Sequence, residues 1–208
     1  LLTLLIKDRF VKPQIEKKIQ EIKVPLPSSL KKAIAILVLI QLTNIPDALL
    51  LLRLHDIGFS TNGVVLCYML FSAVTVIAAF PAGYVADKLS PQIVYSIGLL
   101  AFAAAYLTLG LTQNHTLAIF ALGIYGFFPA LTDGVGKAWI AGLSEDHYRG
   151  RAQGVYQASM NFAVLGAGIW GGALWSSGST QWPLVVAAFG GAIGSLTLAT
   201  IHLRRVRP

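Results

Sequence analysis

The chain has 208 residues, of which 55% are hydrophobic and only 12% are charged, and its mean hydropathy is +0.68. Soluble proteins carry about 25% charged residues, because their surfaces face water. The composition therefore excludes an ordinary water-soluble domain and indicates a protein that sits in a lipid bilayer. A net charge of +7 would suit a nucleic-acid partner only if the basic residues formed one folded polar face. Their positions along the chain argue against this, so we expect no nucleic-acid partner.

Residues 1–30 form a basic, partly amphipathic segment that differs from the rest of the chain. Ile15, Ile19 and Ile22 recur at helical spacing among Lys and Glu residues, which places them on one helix face. This pattern predicts either a short cytoplasmic helix on the membrane surface or against the bundle, or a solvated linker. The chain opens on an apolar run with no start methionine and no signal peptide, so we expect a piece of a longer protein.

Six apolar stretches follow, and each is long enough to cross about 30 Å of hydrocarbon as a helix. Short polar segments separate them, which favours antiparallel neighbours. We therefore predict an all-α transmembrane domain at residues 31–208, a bundle of six membrane-spanning helices. The predicted spans are 32–54, 62–85, 92–112, 116–140, 152–175 and 182–203.

The basic residues predict how this bundle lies in the membrane. If the N-terminus is cytoplasmic, fourteen of the sixteen Lys and Arg residues fall on the cytoplasmic side. Arg53 then lies outside, and Lys137 lies near or within a span. Since cytoplasmic loops are rich in Lys and Arg, we expect both ends of the segment to be cytoplasmic.

Asp133 and Lys137 are the charged residues of the fourth predicted span, four residues apart and on one helix face. A charge at membrane depth is costly and persists where it faces a cavity or a partner. The pair predicts either a gating or proton-responsive site, or a structural pair in which Lys137 extends to the cytoplasmic interface.

Two further pairs place polar side chains inside predicted spans. Asn44 and Asp47 flank Pro46 and share a face of the first span. They predict a proton or substrate site in a cavity, a structural hydrogen-bonding pair, or a contact between Asp47 and Arg53. Gln157 and Asn161 lie beside Tyr156 in the fifth span, where amides either bind a solute or form hydrogen bonds between helices.

The sequence gives little support to an enzyme. It has no zinc-type histidine pair and no phosphate-binding loop, and its four histidines lie at the ends of predicted spans. The single cysteine, Cys67, lies inside an apolar run and defines no disulfide framework. We expect no catalytic residue, no metal site and no cofactor.

Several segments together resemble one family of transporters. The second span ends in Pro81-Ala82-Gly83-Tyr84-Val85-Ala86-Asp87-Lys88-Leu89-Ser90, which is similar to the cytoplasmic loop signature G-x-L-A-D-R-x-G-R-[KR] of the major facilitator superfamily. Gly83, Ala86, Asp87 and Lys88 fit the signature, whereas Ser90 replaces its second glycine. The segments 44–48, 125–138 and 149–156 are also similar to prokaryotic members of this family.

This resemblance implies a fold and an activity. A major facilitator protein has two six-helix halves joined by a basic cytoplasmic loop, with the substrate site near the midplane between them. The chain is thus expected to be the C-terminal half of a permease in the cell membrane. It would move a small solute by alternating access with an absent N-terminal half, driven by an ion, such as the proton, or by the solute gradient. Asp87 and Lys88 would act as a conformational latch at a helix end.

Two alternatives to this transporter remain open at the level of sequence. The chain could be a membrane scaffold that transports nothing, or it could be a half-transporter that works as a dimer.

Overall fold

A computed structural model describes residues 25–206, and this part of the chain contains eight α-helices and no strand. The amphipathic helix predicted around Ile15, Ile19 and Ile22 lies outside the described residues. The helices are α1 (Ser28–Gln41), α2 (Asp47–Ile57), α3 (Thr61–Lys88), α4 (Pro91–Leu111), α5 (His115–Tyr125), α6 (Phe127–Gly142), α7 (Arg149–Ser176) and α8 (Trp182–Val206).

Four stretches of the described chain are long and apolar enough to cross a membrane. They are α3, α4, α5 with α6 as one continuous stretch, and α8 as far as Arg204. The all-helical membrane class is therefore confirmed, and these stretches match the second, third, fourth and sixth predicted spans. The first and fifth spans stay predictions, because α1 and α2 are separately short and α7 is rich in polar residues and glycine.

The first predicted span is not one continuous helix, because it breaks between α1 and α2. Pro46 has no backbone N–H, so it cannot continue the ladder of α1, and Ile45 before it is disfavoured in helical geometry. Pro46 itself has φ −57° and an extended ψ of 141°, just before α2 begins at Asp47. The i→i−4 ladder of α1 ends with the bond from the Leu42 N–H to the Val38 carbonyl, and α2 starts as an independent short helix.

The turns of the bundle lie at its two ends, the distal end and the proximal end. The distal end carries the turns at 58–60, 112–114 and 177–181, and the proximal end carries those at 89–90 and 143–148. At the distal end the ring of His115 lies 4.5 Å from that of Phe59, and at the proximal end Ser90 Oγ lies 2.9 Å from His202 Nδ1. The predicted antiparallel order of the spans is consistent with these contacts.

Helix α4 lies at the centre of the bundle, where it packs most extensively on α8 and then on α6 and α5. Ser96 of α4 and Ser195 of α8 each donate a side-chain hydrogen bond to the other's carbonyl, at 3.0 and 2.9 Å. Phe102 is buried against Gly191, where a Cβ would come within 2.5 Å of its ring. The glycine thus lets the backbone of α8 pack directly against a side chain of α4. In lipid, helices associate through such close packing because apolar side chains alone do not favour their association.

Helix α7 reaches the break between α1 and α2 through its glycines. A Cβ on Gly166 would lie 2.9 Å from Leu42, and one on Gly171 would lie 2.8 Å from Ile45. Trp170 lies between them and donates its indole N–H to the Leu42 carbonyl at 2.8 Å. The small residues of α7 therefore let this helix pack directly against the break.

Candidate functional site

The site begins at the break, where α2 presents Asp47 as its first residue. Tyr125 of α5 donates its hydroxyl to Asp47 Oδ1 at 2.7 Å. Tyr106 of α4 donates to the Ile45 carbonyl at 3.3 Å, so two tyrosines from neighbouring helices hold the two sides of Pro46. The rings of Tyr106 and Tyr125 are 5.3 Å apart and both are buried, which makes this a preformed polar contact inside an apolar bundle.

Asn44 lies on the other side of Pro46 from Asp47. Its side-chain oxygen is buried and has no hydrogen-bond partner among the described residues. Buried polar atoms are normally satisfied, so this amide oxygen is an acceptor without a donor. Asp47 accepts its hydrogen bond from Tyr125. The sequence left three roles open for Asn44 and Asp47, and none of them named Tyr125 as a partner.

Arg53 lies at the outer end of the first predicted span, where we expected a charge on the outer side of the membrane. The structure buries it within α2, with only 2% of its surface exposed. Its guanidinium donates to the carbonyls of Leu109, Gly110 and Thr112 and to the hydroxyl of Thr180, at 3.0 to 3.3 Å. The last carbonyls of a helix have no partner within that helix, so Arg53 satisfies the C-terminal end of α4.

Asp133 and Lys137 lie on α6, and both side chains are exposed in the isolated chain. The Asp133 carboxyl interacts electrostatically with the charges of Lys137 and Asp47. The two carboxyl groups, 86 residues apart in sequence, are thus within range of an electrostatic interaction. Whether Asp133 and Lys137 act as a gating pair stays a prediction.

Gln157 and Asn161 of α7 are also exposed, and they lie on one side of that helix. Tyr156 beside them points the other way and is buried against α6, where a Cβ on Gly136 would lie 2.5 Å from its hydroxyl. Gln153, one turn earlier, donates to the Lys137 carbonyl at 2.7 Å. The contact between α6 and α7 thus presents the polar residues of both helices on open surface. The predicted roles of Gln157 and Asn161 stay predictions.

A groove of about 480 Å³ runs between α3 and α6. Most of its lining consists of small residues, among them Ala79 and Gly83 of α3 and Gly134 of α6. Asp133 and Asp87 are the charged residues that line it. The groove therefore connects the loop signature at the proximal end with the carboxyl group of α6.

The loop signature itself is open at the proximal end. Asp87 is exposed, and a Cβ on Gly83 would meet no atom within 4 Å. Lys88 contacts Tyr84, with its ammonium 4.1 Å from the centre of the ring and hydrogen-bonded to the hydroxyl. In the neighbouring turn, Arg149 forms an ion pair with Asp146 at 2.7 Å. The latch role of Asp87 and Lys88 stays a prediction.

Sequence reasoning named Asn44, Asp47, Asp133, Lys137, Gln157 and Asn161 but missed the residues that hold them. Tyr106 and Tyr125 are tyrosines in the middle of apolar helices, and a buried hydroxyl usually finds a partner, which was the signal available. Arg53 was also visible as a lone charge close to an apolar run. Their partners depend on helix packing and could not be read from spacing.

A family model described as the Major Facilitator Superfamily matches residues 33–208. The chain belongs to the major facilitator superfamily. It is 26% identical over 158 residues to an uncharacterised MFS-type transporter of Methanocaldococcus jannaschii, an alignment that covers 72% of this chain and 39% of that protein. It is 30% identical over 111 residues to the vesicular acetylcholine transporter of Caenorhabditis elegans, which covers 52% of this chain and 20% of that protein.

The resemblance drawn from the loop signature and its companion segments is thereby confirmed. This major facilitator chain is a multi-pass membrane protein of a family whose members transport small molecules. It spans well under half the length of the two relatives named above.

Proposed function

We propose that this major facilitator chain forms the C-terminal six-helix half of a secondary transporter in the cell membrane. Together with an N-terminal half it would move a small solute by alternating access. The chain matches only 39% and 20% of the lengths of two relatives, which fits one half of a larger protein. Major facilitator transporters bind their solutes near the midplane, between two such halves.

The observation that carries this proposal is a polar face in otherwise apolar spans. Asp133, Lys137, Gln157 and Asn161 are exposed in the isolated chain on two neighbouring helices, α6 and α7. Charged groups that face lipid at this depth cost about 3 kcal/mol or more each by insertion scales. An aqueous pathway or an opposing helical half removes that cost, so we assign this face to the wall of the transport pathway.

The orientation we propose places the proximal end in the cytoplasm. The described part of that end carries the exposed basic residues Lys88, Arg149 and Arg204. Near the distal end, the described part of the chain carries one Lys or Arg residue, Arg53. It is buried and donates its hydrogen bonds inside the protein. Under the positive-inside rule, both ends of the described segment are then cytoplasmic.

We further propose that Asp47 and Asp133 couple transport to protons. A carboxyl group that exchanges a proton during the cycle must be able to change partners. Among the described residues, Asp47 accepts a hydrogen bond from one neutral donor, Tyr125. Asp133 interacts with Lys137 of its own helix as well as with Asp47. Protonation of Asp47 therefore alters the contact between α2 and α5. Protonation of Asp133 alters its charge interactions with Lys137 on the same helix and with Asp47 on α2.

Flux measurements on separately expressed halves test the transporter proposal. This chain is co-expressed with a candidate N-terminal half of a major facilitator protein, purified, reconstituted in liposomes with an imposed pH gradient and screened with a panel of radiolabelled small solutes. We expect flux only when both halves are present. Equal flux from this chain alone would instead support a dimerising half-transporter, and a complex that assembles without flux of any solute would support a scaffold.

A further inference from the structure

The feature with the most unexplained chemistry outside the polar face is the buried guanidinium of Arg53. We infer that Arg53 is a positioning residue that fixes α2, and with it the Asp47 carboxyl group, to the distal end of α4 and the 177–181 turn. The functional half of this inference rests on the proposed coupling role of Asp47. Its structural half concerns only how α2 is held.

Helix α2 needs anchors of its own because the break separates it from α1. In a continuous span, the hydrogen-bond ladder would transmit the position of one half to the other. Here residues 43–46 interrupt that ladder, and α2 has only 11 residues, about 16 Å of helix. A helix this short covers only about half of the hydrocarbon thickness of about 30 Å, so its position depends on its tertiary contacts.

The apolar contacts of α2 hold it in the bundle without fixing its exact position. Leu50, Leu54 and Ile57 are buried, but packing contacts between apolar side chains are non-directional, and lipid offers such side chains equally apolar partners. Arg53 adds four directional hydrogen bonds to two different segments. Burial of a charge is a poor way to gain stability, and its best-attested use is to specify one register. The charge of Asp56, three residues further along α2, lies nearby and partly offsets the burial of the guanidinium.

The other end of α2 is held by the same part of the bundle. Tyr125 and Tyr106, which bond Asp47 and the Ile45 carbonyl, belong to α5 and α4. Arg53 bonds the carbonyls at the end of α4, six residues further along α2. The helix is therefore tied to α4 at both ends, and a shift at Arg53 changes the distance between Asp47 and Tyr125.

Three groups on other helices interact with Asp47 and would respond to such a shift. They are the hydroxyls of Tyr106 on α4 and Tyr125 on α5 and the carboxyl of Asp133 on α6. Tyr125 is hydrogen-bonded to Asp47 Oδ1, and the Asp133 carboxyl interacts with Asp47 through its charge. Displacement of α2 alters both influences, so loss of Arg53 should alter the pH at which transport is half-maximal.

The test uses the full transporter in lipid nanodiscs, with Arg53→Met, Arg53→Lys and the control His55→Gln, whose side chain is exposed on the same helix. Amide hydrogen exchange of residues 47–57 is compared with that of residues 115–125 by mass spectrometry. We expect about tenfold faster exchange of 47–57 in Arg53→Met, a smaller increase in Arg53→Lys, which keeps the charge but loses the planar fork, and none in His55→Gln. Unchanged exchange in both Arg53 variants would overturn the inference.

Transport measured from pH 5 to 9 in the same variants tests the link to Asp47. The midpoint should shift by about half a pH unit or more in Arg53→Met, whereas the same change made in an Asp47→Asn background should leave the flattened profile of that variant as it is. An equal shift in both backgrounds would show that Arg53 does not act through Asp47. If Arg53→Met fails to fold, Arg53→Lys and Thr180→Val, which removes one of the four hydrogen bonds, take its place.

The two measurements separate this inference from the proposed function. Hydrogen exchange does not depend on transport, so it tests the anchoring of α2 by itself. If Asp47→Asn alone leaves the pH profile of transport unchanged, the coupling role of Asp47 fails, together with the functional half of the inference.

Discussion

Asp47→Asn and Asp133→Asn are each expected to flatten the pH dependence of transport. A rate that depends on one proton changes about tenfold per pH unit on the steep part of its profile. An asparagine keeps the size of the side chain but cannot exchange a proton. If the carboxyl is the coupling group, the transport rate of the variant should therefore change by about twofold or less per pH unit. Initial rates of solute flux in liposomes, measured at fixed internal pH with the external pH varied, check this.

Glu145→Gln is the matched control for this experiment. Glu145 is an exposed carboxyl in the 143–148 turn, outside the helices that carry Asp47 and Asp133. We expect it to leave the profile unchanged. Membrane insertion and yield of all three variants are compared first, so that loss of folding is not read as loss of coupling. A wild-type profile in both the Asp47→Asn and the Asp133→Asn protein would remove protons from the proposed mechanism at this site.

Gly126→Ala is expected to destabilise the bundle, although alanine is the better helix former. A Cβ at this position would lie 2.8 Å from two carbons of Val74 and 3.0 Å from the Phe71 carbonyl of α3. Neither the Val74 Cβ nor a backbone oxygen can move without shifting α3, and overpacking of this kind costs about 1–3 kcal/mol. Thr75 also donates to the Gly126 carbonyl at 3.1 Å, so separation of the helices weakens that bond as well.

Gly123→Ala provides the comparison, because it lies three residues earlier on α5 and its Cβ would meet no atom within 4 Å. At Gly123 the better helix propensity of alanine should raise the free energy of unfolding by up to about 1 kcal/mol. Unfolding of the two variants by a denaturing detergent, followed by circular dichroism, gives their relative stabilities. Equal stability of both variants would mean that α3 and the turn at Gly126 are not packed as closely as described.

The sequence was a good guide to the class of fold because lipid imposes a simple rule. A span must be helical, apolar and about 20 residues long, so its position follows from local composition. Four of the predicted spans, including 62–85 and 92–112, agree with described helices to within a few residues. The break in the first span was less visible, because Pro46 is tolerated in membrane helices and only the surrounding structure decides whether it kinks or ends one.

The candidate site was only half visible for a related reason. Polar residues in apolar runs are conspicuous, which identified Asp47 and Asp133 individually. Their proximity depends on how α2 and α6 pack, and the hydrogen bond from Tyr125 depends on the position of α5. Arg53 shows the same limit, since its three carbonyl partners lie 56 or more residues away and carry no side-chain signal in the sequence.

The most direct test of the central claim is the water accessibility of two faces of α7. Gln157→Cys and Asn161→Cys place thiols on the polar face, and Phe162→Cys and Ile169→Cys place them on the apolar face, where the native side chains are 74% and 75% exposed in the isolated chain. The background carries Cys67→Ala, and the assembled transporter in liposomes is treated with a charged maleimide.

We predict that the thiols at 157 and 161 react and that their reaction slows when solute is present, whereas those at 162 and 169 stay unreacted, because thiols react as thiolates and water is needed to form them. Equal reactivity on both faces, or none at 157 and 161, would contradict a transport pathway along this wall.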